Sequence, residues 1–285
     1  MMKVAIVTDS TAYIPDDVSK GYAIQSAPLQ VIWGPETFRD GIDITPDAFY
    51  TRLADTKVMP TTSQPAPSTF KAIYDQLIAQ GYDILSLHIS TKLSGTIDSA
   101  TQARALLPNA NIEVVDSYST SMGLGFQVMA AAKAASQGAT LQDCKTIAEQ
   151  AREKCGVLFL LNTLEFLRRG GRIGSAAAFL GTALNLKPIL ELVDGKVEGI
   201  DKVRTWSKAT DRLLDIFEER IAGRTPLRIA AIYGGSKPEA ESLMERVRQR
   251  YKVSDVSEAV FSPVSPVVGV HTGPGVIGLA YMVKM

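Results

Sequence analysis

Residues 85–100 read LSLHISTKLSGTIDSA and combine, within one stretch, the two kinds of element that the chain repeats. An apolar run that ends at Ile89 predicts a buried strand, and Ser94-Gly95-Thr96 predicts the start of a helix. The first amide groups of a helix have no intrahelical partner, so with the hydroxyls of Ser94 and Thr96 they suit a carboxylate or a phosphate. Because the same residues are common as plain helix caps, a purely structural interpretation stays open.

Strand patterns followed by hydroxyl-rich loops recur on either side of this stretch. Residues 3–7 form an apolar, β-branched run that leads into Asp9-Ser10-Thr11, and residues 111–115 lead into Asp116-Ser117. Since helix patterns separate these strands, we expect a mostly parallel sheet with helices on both faces. Ligands of such sheets collect at the carboxyl ends of the strands, so the three loops predict a binding site at one edge.

The remaining sequence predicts two additions to this sheet. Residues 23–42 contain short strand patterns separated by Gly34-Pro35, which indicates a hairpin excursion. Beyond residue 156, strand patterns that meet at Asp194-Gly195 and further helix patterns indicate an α+β layer. A chain of 285 residues is long enough for two cores, so we expect an α/β protein with domains at residues 1–156 and 157–285. The first domain is predicted to have three layers.

The composition argues against several classes of function. Thirty basic and thirty acidic residues cancel, and a pI near 6.8 gives no electrostatic footprint for nucleic acid or an anionic membrane. Cys144 and Cys155 form no C-x-x-C motif, which argues against a metal site and fits a reducing cytoplasm. No apolar run approaches the roughly 20 residues of a transmembrane helix, and the run before Thr8 is too short for a signal peptide. We therefore expect a cytoplasmic protein without stable membrane insertion.

Three further segments are candidates for a site, and each also has a structural interpretation. Residues 60–67 hold three prolines and three hydroxyl residues, which suit a rigid loop that presents a hydroxyl but also a helix cap. Residues 167–174 contain Arg-Gly-Gly-Arg, a turn that presents guanidinium groups. Residues 176–192 are almost uncharged, so they fill a core or line an apolar cavity.

The two histidines are the side chains whose charge changes near neutral pH. His88 lies inside a predicted core strand, where a structural hydrogen bond is the favoured interpretation. His271 is flanked by Thr272 and a Gly-Pro-Gly turn, so we expect it to be more exposed and a candidate for the site.

Eight short blocks follow one another along the chain. They are VTDSTAYIP at 7–15, TSQPAPS at 62–68, LSGT at 93–96, VDSYSTSMGLG at 115–125, LRRGGRIG at 167–174, KPIL at 187–190, KVRT at 202–205 and HTGPG at 271–275. With these blocks the sequence resembles the DegV family of bacterial fatty-acid-binding proteins over essentially its whole length. The resemblance implies a two-domain DegV-type fold with one long-chain fatty acid in a tunnel between the domains.

The resemblance also implies a partner and a division of labour. The partner is a fatty acid kinase, which phosphorylates the bound acid to an acyl phosphate for phospholipid synthesis. The chain itself is then a lipid-binding carrier without a cofactor or a catalytic residue of its own. The kinase performs the chemistry.

The candidate site residues fall into three groups, and a metal site is not expected. The groups predicted to bind the carboxylate are Thr62, Ser63, Ser94, Gly95, Thr96 and His271, although the sequence leaves open which of Thr61, Thr62 and Ser63 points inward. The groups predicted to line the acyl tunnel are Ala176, Phe179, Leu180, Ala183, Leu184 and Ile189. The groups predicted to dock the partner are Arg169, Arg172 and Arg204. In family members the His and Arg that match His271 and Arg204 are implicated in transfer.

An enzyme is the alternative from a different class. In that hypothesis Ser94 is the nucleophile and His271 the base of an acyl hydrolase or transferase. Two features oppose it: Ser94-Gly95-Thr96 is no nucleophile elbow, and no acidic residue is placed by the sequence to orient His271.

Overall fold

The computed structural model of the protein describes residues 3–181 and 186–285. The strands are β1 (Lys3–Asp9), β2 (Ile24–Ala27), β3 (Gln30–Trp33), β4 (Glu36–Arg39), β5 (Thr61–Ser63), β6 (Tyr82–His88), β7 (Ile112–Asp116), β8 (Cys155–Leu160), β9 (Lys187–Val193), β10 (Lys196–Val203), β11 (Leu227–Tyr233), β12 (Val256–Pro263) and β13 (Ile277–Val283). The helices are α1 (Asp16–Ser19), α2 (Pro46–Asp55), α3 (Pro67–Ala79), α4 (Thr96–Ala105), α5 (Ser121–Ser136), α6 (Leu141–Arg152), α7 (Glu165–Arg169), α8 (Trp206–Ile221), α9 (Lys237–Arg250) and α10 (Pro266–Thr272). Two 3₁₀ helices cover Gly174–Phe179 and Val253–Asp255.

The first sheet has the strand order β2-β1-β6-β7, and its pairs are parallel. Side chains alternate between its faces: Ala5 and Val7 pack on one side, while Val4 and Ile6 pack on the other. Helices α3 and α4 cover the first of these faces, and α5 and α6 cover the second. The predicted three-layer arrangement of a parallel sheet and flanking helices is therefore confirmed.

The hairpin excursion differs from the prediction at both of its ends. Residues Ile24–Ala27 pair in parallel with β1 and belong to the main sheet, so the excursion begins only after them. The hairpin β3–β4 is then extended by Thr61–Ser63, which pairs antiparallel with β3. The prediction of a rigid loop over residues 60–67 is thus partly wrong. Its hydroxyl residues form a strand that pairs with the free edge of β3, which would otherwise lack a partner.

The second sheet has the order β10-β9-β8-β13-β11-β12. The predicted hairpin at Asp194-Gly195 joins β9 to β10, and both residues have the positive φ angles, 48° and 78°, that a type I′ turn requires. Helices α8 and α9 cover one face of this sheet. The other face packs on α5 through Met122 and Phe126. The predicted boundary after residue 156 falls inside β8, and the division into domains remains a prediction.

Helix α5 therefore lies between the two sheets. Leu124 and Val128 belong to the core of the first sheet, whereas Met122 and Phe126 belong to that of the second. The close approach depends on a residue without a side chain, because a Cβ atom at Gly123 would lie 2.4 Å from Val157 Cγ2. The helix brings the carboxyl edge of the first sheet next to the inner face of the second.

Candidate ligand-binding site

A cavity lies between the two sheets, with about 860 Å³ of empty space that includes its opening to solvent, and we call it the central cavity. The wall is built from β5, the loop that follows β6, the start of α5, the inner face of the second sheet, and α10. This is the carboxyl edge of the parallel sheet, where the sequence predicted a site.

Polar side chains gather where β5, the loop after β6 and α10 meet. Thr62, Ser63, Ser94 and His271 all line the central cavity there. The Oγ1 atom of Thr62 is 3.0 Å from Nε2 of His271, so the structure resolves which threonine of β5 faces the histidine. Thr61 is exposed and does not line the cavity.

Gly95 and Thr96 support this region from behind rather than lining it. Thr96 is buried, and its hydroxyl forms a 2.8 Å hydrogen bond with the hydroxyl of Ser94. A Cβ atom on Gly95 would lie 2.7 Å from Nε2 of Gln64, which lines the cavity. Thr96 therefore orients Ser94, and Gly95 leaves room for Gln64.

His271 is held in place by a glycine of the predicted Arg-Gly-Gly-Arg turn. A Cβ atom on Gly170 would lie only 2.0 Å from Nδ1 of His271, so the ring packs directly on the backbone of that residue. His271 is more exposed than His88, as predicted, but it is only partly exposed because it lies in the last turn of α10 and faces the cavity. Its Nδ1 atom is buried and has no hydrogen-bond partner among the described residues.

The charge state of His271 follows from this environment. Burial, and secondarily the positive charge of Arg172, lower the pKa of His271 from 6.5 to about 4. The imidazole is therefore neutral near pH 7 and carries a proton on one nitrogen only. A neutral imidazole can donate one hydrogen bond to an anion, and the protein does not have to bury a positive charge on the ring.

Arg172 was predicted to dock a partner, but the structure places it in the cavity wall. Its Nε donates to the carbonyl of Leu93 at 3.0 Å and its Nη1 to the carbonyl of Gly170 at 2.6 Å. These two bonds hold the guanidinium at the mouth of the cavity. Within residues 3–181 and 186–285, no other charged side chain lines the central cavity, so its formal charge favours an anion.

Most of the remaining wall is apolar, and sequence reasoning did not predict it. Its apolar residues include Val157, Phe159, Leu192, Val197, Ile232, Val264 and Val276. Several of these residues stand at alternate positions on strands whose other face packs on α8 and α9. The available signal was the period of two in each strand, but nothing in the sequence states which face meets a cavity.

The residues predicted to line an acyl tunnel lie elsewhere. Ala176 is buried under β10, Phe179 packs on Gly199, and Leu180 is exposed. Ile189 points to the opposite face of its strand and belongs to the core with α8. Ala183 and Leu184 lie outside the described residues. The physical reason is that residues 174–179 form a 3₁₀ helix against β10 instead of a wall between the sheets.

The other two predicted docking residues are on the surface. Arg169 donates to the carboxylate of Glu165 at 2.6 Å and does not line the cavity. Arg204 is exposed in the bend after β10. Val203 pairs with Lys187, Lys187 contacts Asn162 at 3.4 Å, and Asn162 donates to Pro274. Arg204 and the Gly-Pro-Gly turn next to His271 therefore lie at the same end of the strands of the second sheet.

His88 has the structural role that the sequence favoured. It is fully buried, its Nε2 is bonded to Ser86 at 2.6 Å, and its Nδ1 is 3.1 Å from a carboxylate oxygen of Asp9. The same oxygen accepts the amide of Ile89 at 2.8 Å. The block that contains Asp9 thereby fixes the loop that carries Ser94.

The geometry does not assemble the triad of the alternative enzyme hypothesis. The hydroxyl of Ser94 is bonded to Thr96, while Nε2 of His271 is bonded to Thr62. No acidic side chain in the described chain orients the unpaired Nδ1 of His271. The described residues contain no group of three or more His, Cys, Asp or Glu side chains that could hold a metal ion.

None of the helices in the described part of the chain combines the length and the apolar character needed to cross a membrane.

Comparison with known proteins gives consistent matches over the whole length. The family model described as "Uncharacterised protein, DegV family" matches residues 3–284. A DegV domain-containing protein of Streptomyces coelicolor is 40% identical over 277 residues, 97% of each chain. A DegV family protein of Thermus thermophilus, whose structure is described as showing fatty acid binding, has a TM-score of 0.92 and 36% identity over 99% of this chain and 100% of its own.

A second solved structure gives the same result. DegV of Bacillus subtilis, described as a fatty acid binding protein, has a TM-score of 0.89 and 33% identity, with 100% of both chains covered. The order of sheets and helices in the present chain is therefore that of these proteins. The chain belongs to the DegV family.

Proposed function

We propose that the protein binds a long-chain fatty acid in the central cavity. One observation carries the proposal: a mostly apolar cavity has hydroxyls, a neutral imidazole and one guanidinium gathered where β5, the loop after β6 and α10 meet. A fatty acid has the same division between a charged head and an apolar chain. The related proteins of Thermus thermophilus and Bacillus subtilis, described as binding fatty acids, support this assignment.

The carboxylate is assigned to Thr62, Ser94, His271 and Arg172. Thr62 and Ser94 each present a hydroxyl, and the imidazole of His271 presents one N–H. Hydrogen bonds to a charged acceptor contribute about 1.5–3 kcal/mol each. Arg172 adds a positive charge at the mouth, where water screens its contribution in part.

The acyl chain is assigned to the wall formed by the second sheet. Removal of each methylene from water contributes about 0.8 kcal/mol, so a long chain supplies most of the affinity. Val157, Phe159 and Leu192 present branched and aromatic surfaces to it without a polar atom in their side chains. Binding of this kind needs no cofactor.

We further propose that this carrier presents the carboxylate of its fatty acid to a fatty acid kinase. The kinase then transfers a phosphoryl group from ATP to that carboxylate. Support comes from the resemblance of the KVRT and HTGPG blocks to those of the family, and from their place at one edge of the second sheet. Arg204 is exposed at that edge and is suited to pair with an acidic or phosphate group of the partner. Arg169 is a weaker candidate because Glu165 already neutralises it.

The test is extraction of the purified protein followed by mass spectrometry of the lipid. A stoichiometric amount of an intact fatty acid is expected, and the delipidated protein should take it up again. Incubation with acyl esters should give no turnover. Failure to retain any fatty acid would contradict the binding proposal, and sustained ester hydrolysis would restore the enzyme hypothesis.

A further inference from the structure

Two exposed polar side chains mark where the central cavity opens to solvent. Of the described residues that line the cavity, all but Gln64 and Arg172 are buried or half-buried. Arg172 contacts the residue before Ser94, because its Nε donates to the carbonyl of Leu93 at 3.0 Å. Gln64 contacts the residue after Ser94, because its carboxamide packs on Gly95. The two exposed side chains therefore flank Ser94 of the proposed carboxylate site.

The carboxamide of Gln64 lies flat on the backbone of Gly95. A Cβ atom at Gly95 would be 2.7 Å from Nε2, 3.0 Å from Cδ and 3.1 Å from Oε1 of Gln64. These similar distances show that the whole group, and not one end of it, covers the glycine. Gly95 has a φ of −77°, outside the left-handed region, so its backbone conformation does not demand a glycine. The space beside Gly95 is instead needed by Gln64.

The two flanking side chains differ in how they are held. Arg172 donates hydrogen bonds to the backbone carbonyls of Leu93 and Gly170. The backbone carbonyl of Gln64 accepts from Ser63 at 3.2 Å, but its carboxamide makes no hydrogen bond within the described residues. The N–H groups of Gln64 are therefore free to donate, and its side chain is free to change rotamer. Gln64 is the movable side chain of the mouth, and Arg172 is the fixed one.

We propose that Gln64 is a side-chain lid that closes on the head group, with Nε2 donating a hydrogen bond to the carboxylate of the bound fatty acid. The inference rests on the proposed function and adds how that site closes and how it distinguishes a carboxylate from an uncharged head group. An N–H group donates more strongly to a charged oxygen than to the hydroxyl of an alcohol. Hand-over of the carboxylate to a partner then requires the lid to swing outward, which the absence of other hydrogen bonds permits.

The experiment compares octadecanoic acid with octadecanol on delipidated protein, and each affinity is measured by competition with a fluorescent fatty acid. Gln64→Ala should weaken binding of the acid roughly tenfold, the low end for a hydrogen bond to a charged group, because water competes at an exposed position. Binding of octadecanol should change by no more than about twofold. Gln76→Ala, on an exposed glutamine of α3 that does not line the cavity, is the matched control and should bind both ligands as the wild type does.

A change of charge at the same position should have a larger effect. Gln64→Glu keeps the shape of the side chain but places a second carboxylate beside that of the ligand, so affinity for the acid should fall further than in Gln64→Ala. Binding of octadecanol should again change little. Gln76→Glu is the control for the added charge and should leave both affinities as they are.

Gly95→Ala tests whether the lid acts from its position over Gly95. The added methyl group takes the place of the carboxamide, so affinity for the acid should fall toward that of Gln64→Ala. When Gly95→Ala is combined with Gln64→Ala, the second substitution should cause no further loss, because the side chain that it displaces is already absent. If Gly95→Ala fails to fold, the comparison of Gln64→Ala with Gln64→Glu decides.

The outcomes separate this inference from the function on which it rests. An unchanged affinity for the acid in Gln64→Ala overturns the inference, and so does a loss from Gly95→Ala that persists in the double variant. An equal loss for the acid and the alcohol also overturns it, since Gln64 would then only shape the mouth. Retention of no fatty acid by the wild type instead defeats the proposed function itself.

Discussion

The regions around His88 and around His271 are both buried and polar, but they differ in how completely their hydrogen bonds are satisfied. Around His88, both ring nitrogens and both oxygens of Asp9 have partners, and the chain of contacts continues through Ser86 to Tyr74. Around His271, one ring nitrogen has no partner, and the nearby Thr120 and Ser121 hydroxyls have none either. A saturated network holds elements together, whereas an unsaturated one is prepared for a ligand.

The largest effect is expected from His88→Ala. The change leaves Asp9 and Ser86 without a buried partner and opens a cavity, so the free energy of unfolding should fall by about 3–5 kcal/mol. Urea denaturation measures this loss. His271→Ala is the matched control and should cost far less stability, because only its bond to Thr62 is lost. Equal losses in the two variants would erase the distinction between the regions.

Loss of the head-group hydroxyls should weaken binding rather than folding. Thr62→Ala and Ser94→Ala each remove a donor to the proposed carboxylate, which corresponds to about 1.5–3 kcal/mol or roughly 10- to 150-fold in fatty acid affinity. Affinity is measured by titration of delipidated protein with a fluorescent fatty acid. Thr61→Ala, on the exposed neighbour in β5, should bind as the wild type does. Normal affinity in the Thr62 and Ser94 variants would move the carboxylate elsewhere.

The two glycines after Arg169 offer a sharper test of the His271 region. Gly170→Ala places a methyl group on the imidazole and should reduce fatty acid affinity roughly tenfold, the equivalent of one displaced hydrogen bond to the carboxylate. Gly171→Ala, at a φ of 71° with no neighbouring atom, should cost about 1 kcal/mol of stability but leave affinity unchanged. If Gly170→Ala binds normally, the packing of His271 is irrelevant to the ligand.

His271 should also contribute a pH dependence to stability. Its folded pKa of about 4 lies below its ordinary 6.5, so the unfolded chain binds the proton first as the pH falls. The contribution of the neutral imidazole to the free energy of unfolding is fully present above pH 6.5. It is lost as the pH falls toward 4, by up to about 1.4 kcal/mol per pH unit. His271→Gln should lack this loss when unfolding is measured at pH 7 and pH 4.5. Identical losses in variant and wild type would contradict the assignment.

A second buried group, Asp40, also makes stability depend on pH, so the effect of His271 must be measured as a difference between the wild type and the His271 variant. Burial raises the pKa of Asp40 to about 7, so its folded form holds the proton more tightly than the unfolded chain does. Its effect therefore increases stability as the pH falls from 7 and opposes that of His271. The free energy of unfolding of the wild type, measured against pH, therefore contains both contributions.

The smallest effect on binding is expected from Arg204→Ala. The side chain is exposed and does not line the central cavity, so the variant should purify with its usual fatty acid. Acyl phosphate formation with the kinase and ATP should nevertheless fall, because a rim charge governs docking. Lys196→Ala, an exposed cation at the other end of β10, should retain full activity. Full activity in the Arg204 variant would remove it from the transfer.

The sequence predicted the parallel sheet and its loops because their signals are local. The strand runs of β1, β6 and β7, the loops that follow them and the Asp194-Gly195 turn depend on neighbouring residues, and these elements formed where expected. Local signals made Ser94 and the hydroxyls of residues 60–67 candidates, the resemblance to a family grouped them with His271, and Thr62, Ser63, Ser94 and His271 do line one cavity. The resemblance to a family supplied the rest of the functional hypothesis.

The apolar wall could not be predicted because it depends on which face of a buried strand meets the other sheet. Leu192 lines the cavity while Ile189 on the same strand packs on α8, and both are simply apolar in sequence. The role of Gly170 likewise depends on a residue about a hundred positions away. Thr120 and Ser121 lay within a quoted block, but only a three-dimensional inventory of hydrogen bonds distinguishes them from ordinary caps.

Helix α5, packed between the two sheets, bears on how the molecule unfolds. Its Met122 side belongs to one core and its Leu124 side to the other, so neither sheet can separate without exposing apolar surface of the same helix. The halves are thus expected to melt in a single cooperative transition although they were predicted as two domains. A ligand that fills the cavity beside α5 stabilises both halves at once, and its concentration sets the melting temperature of the whole chain.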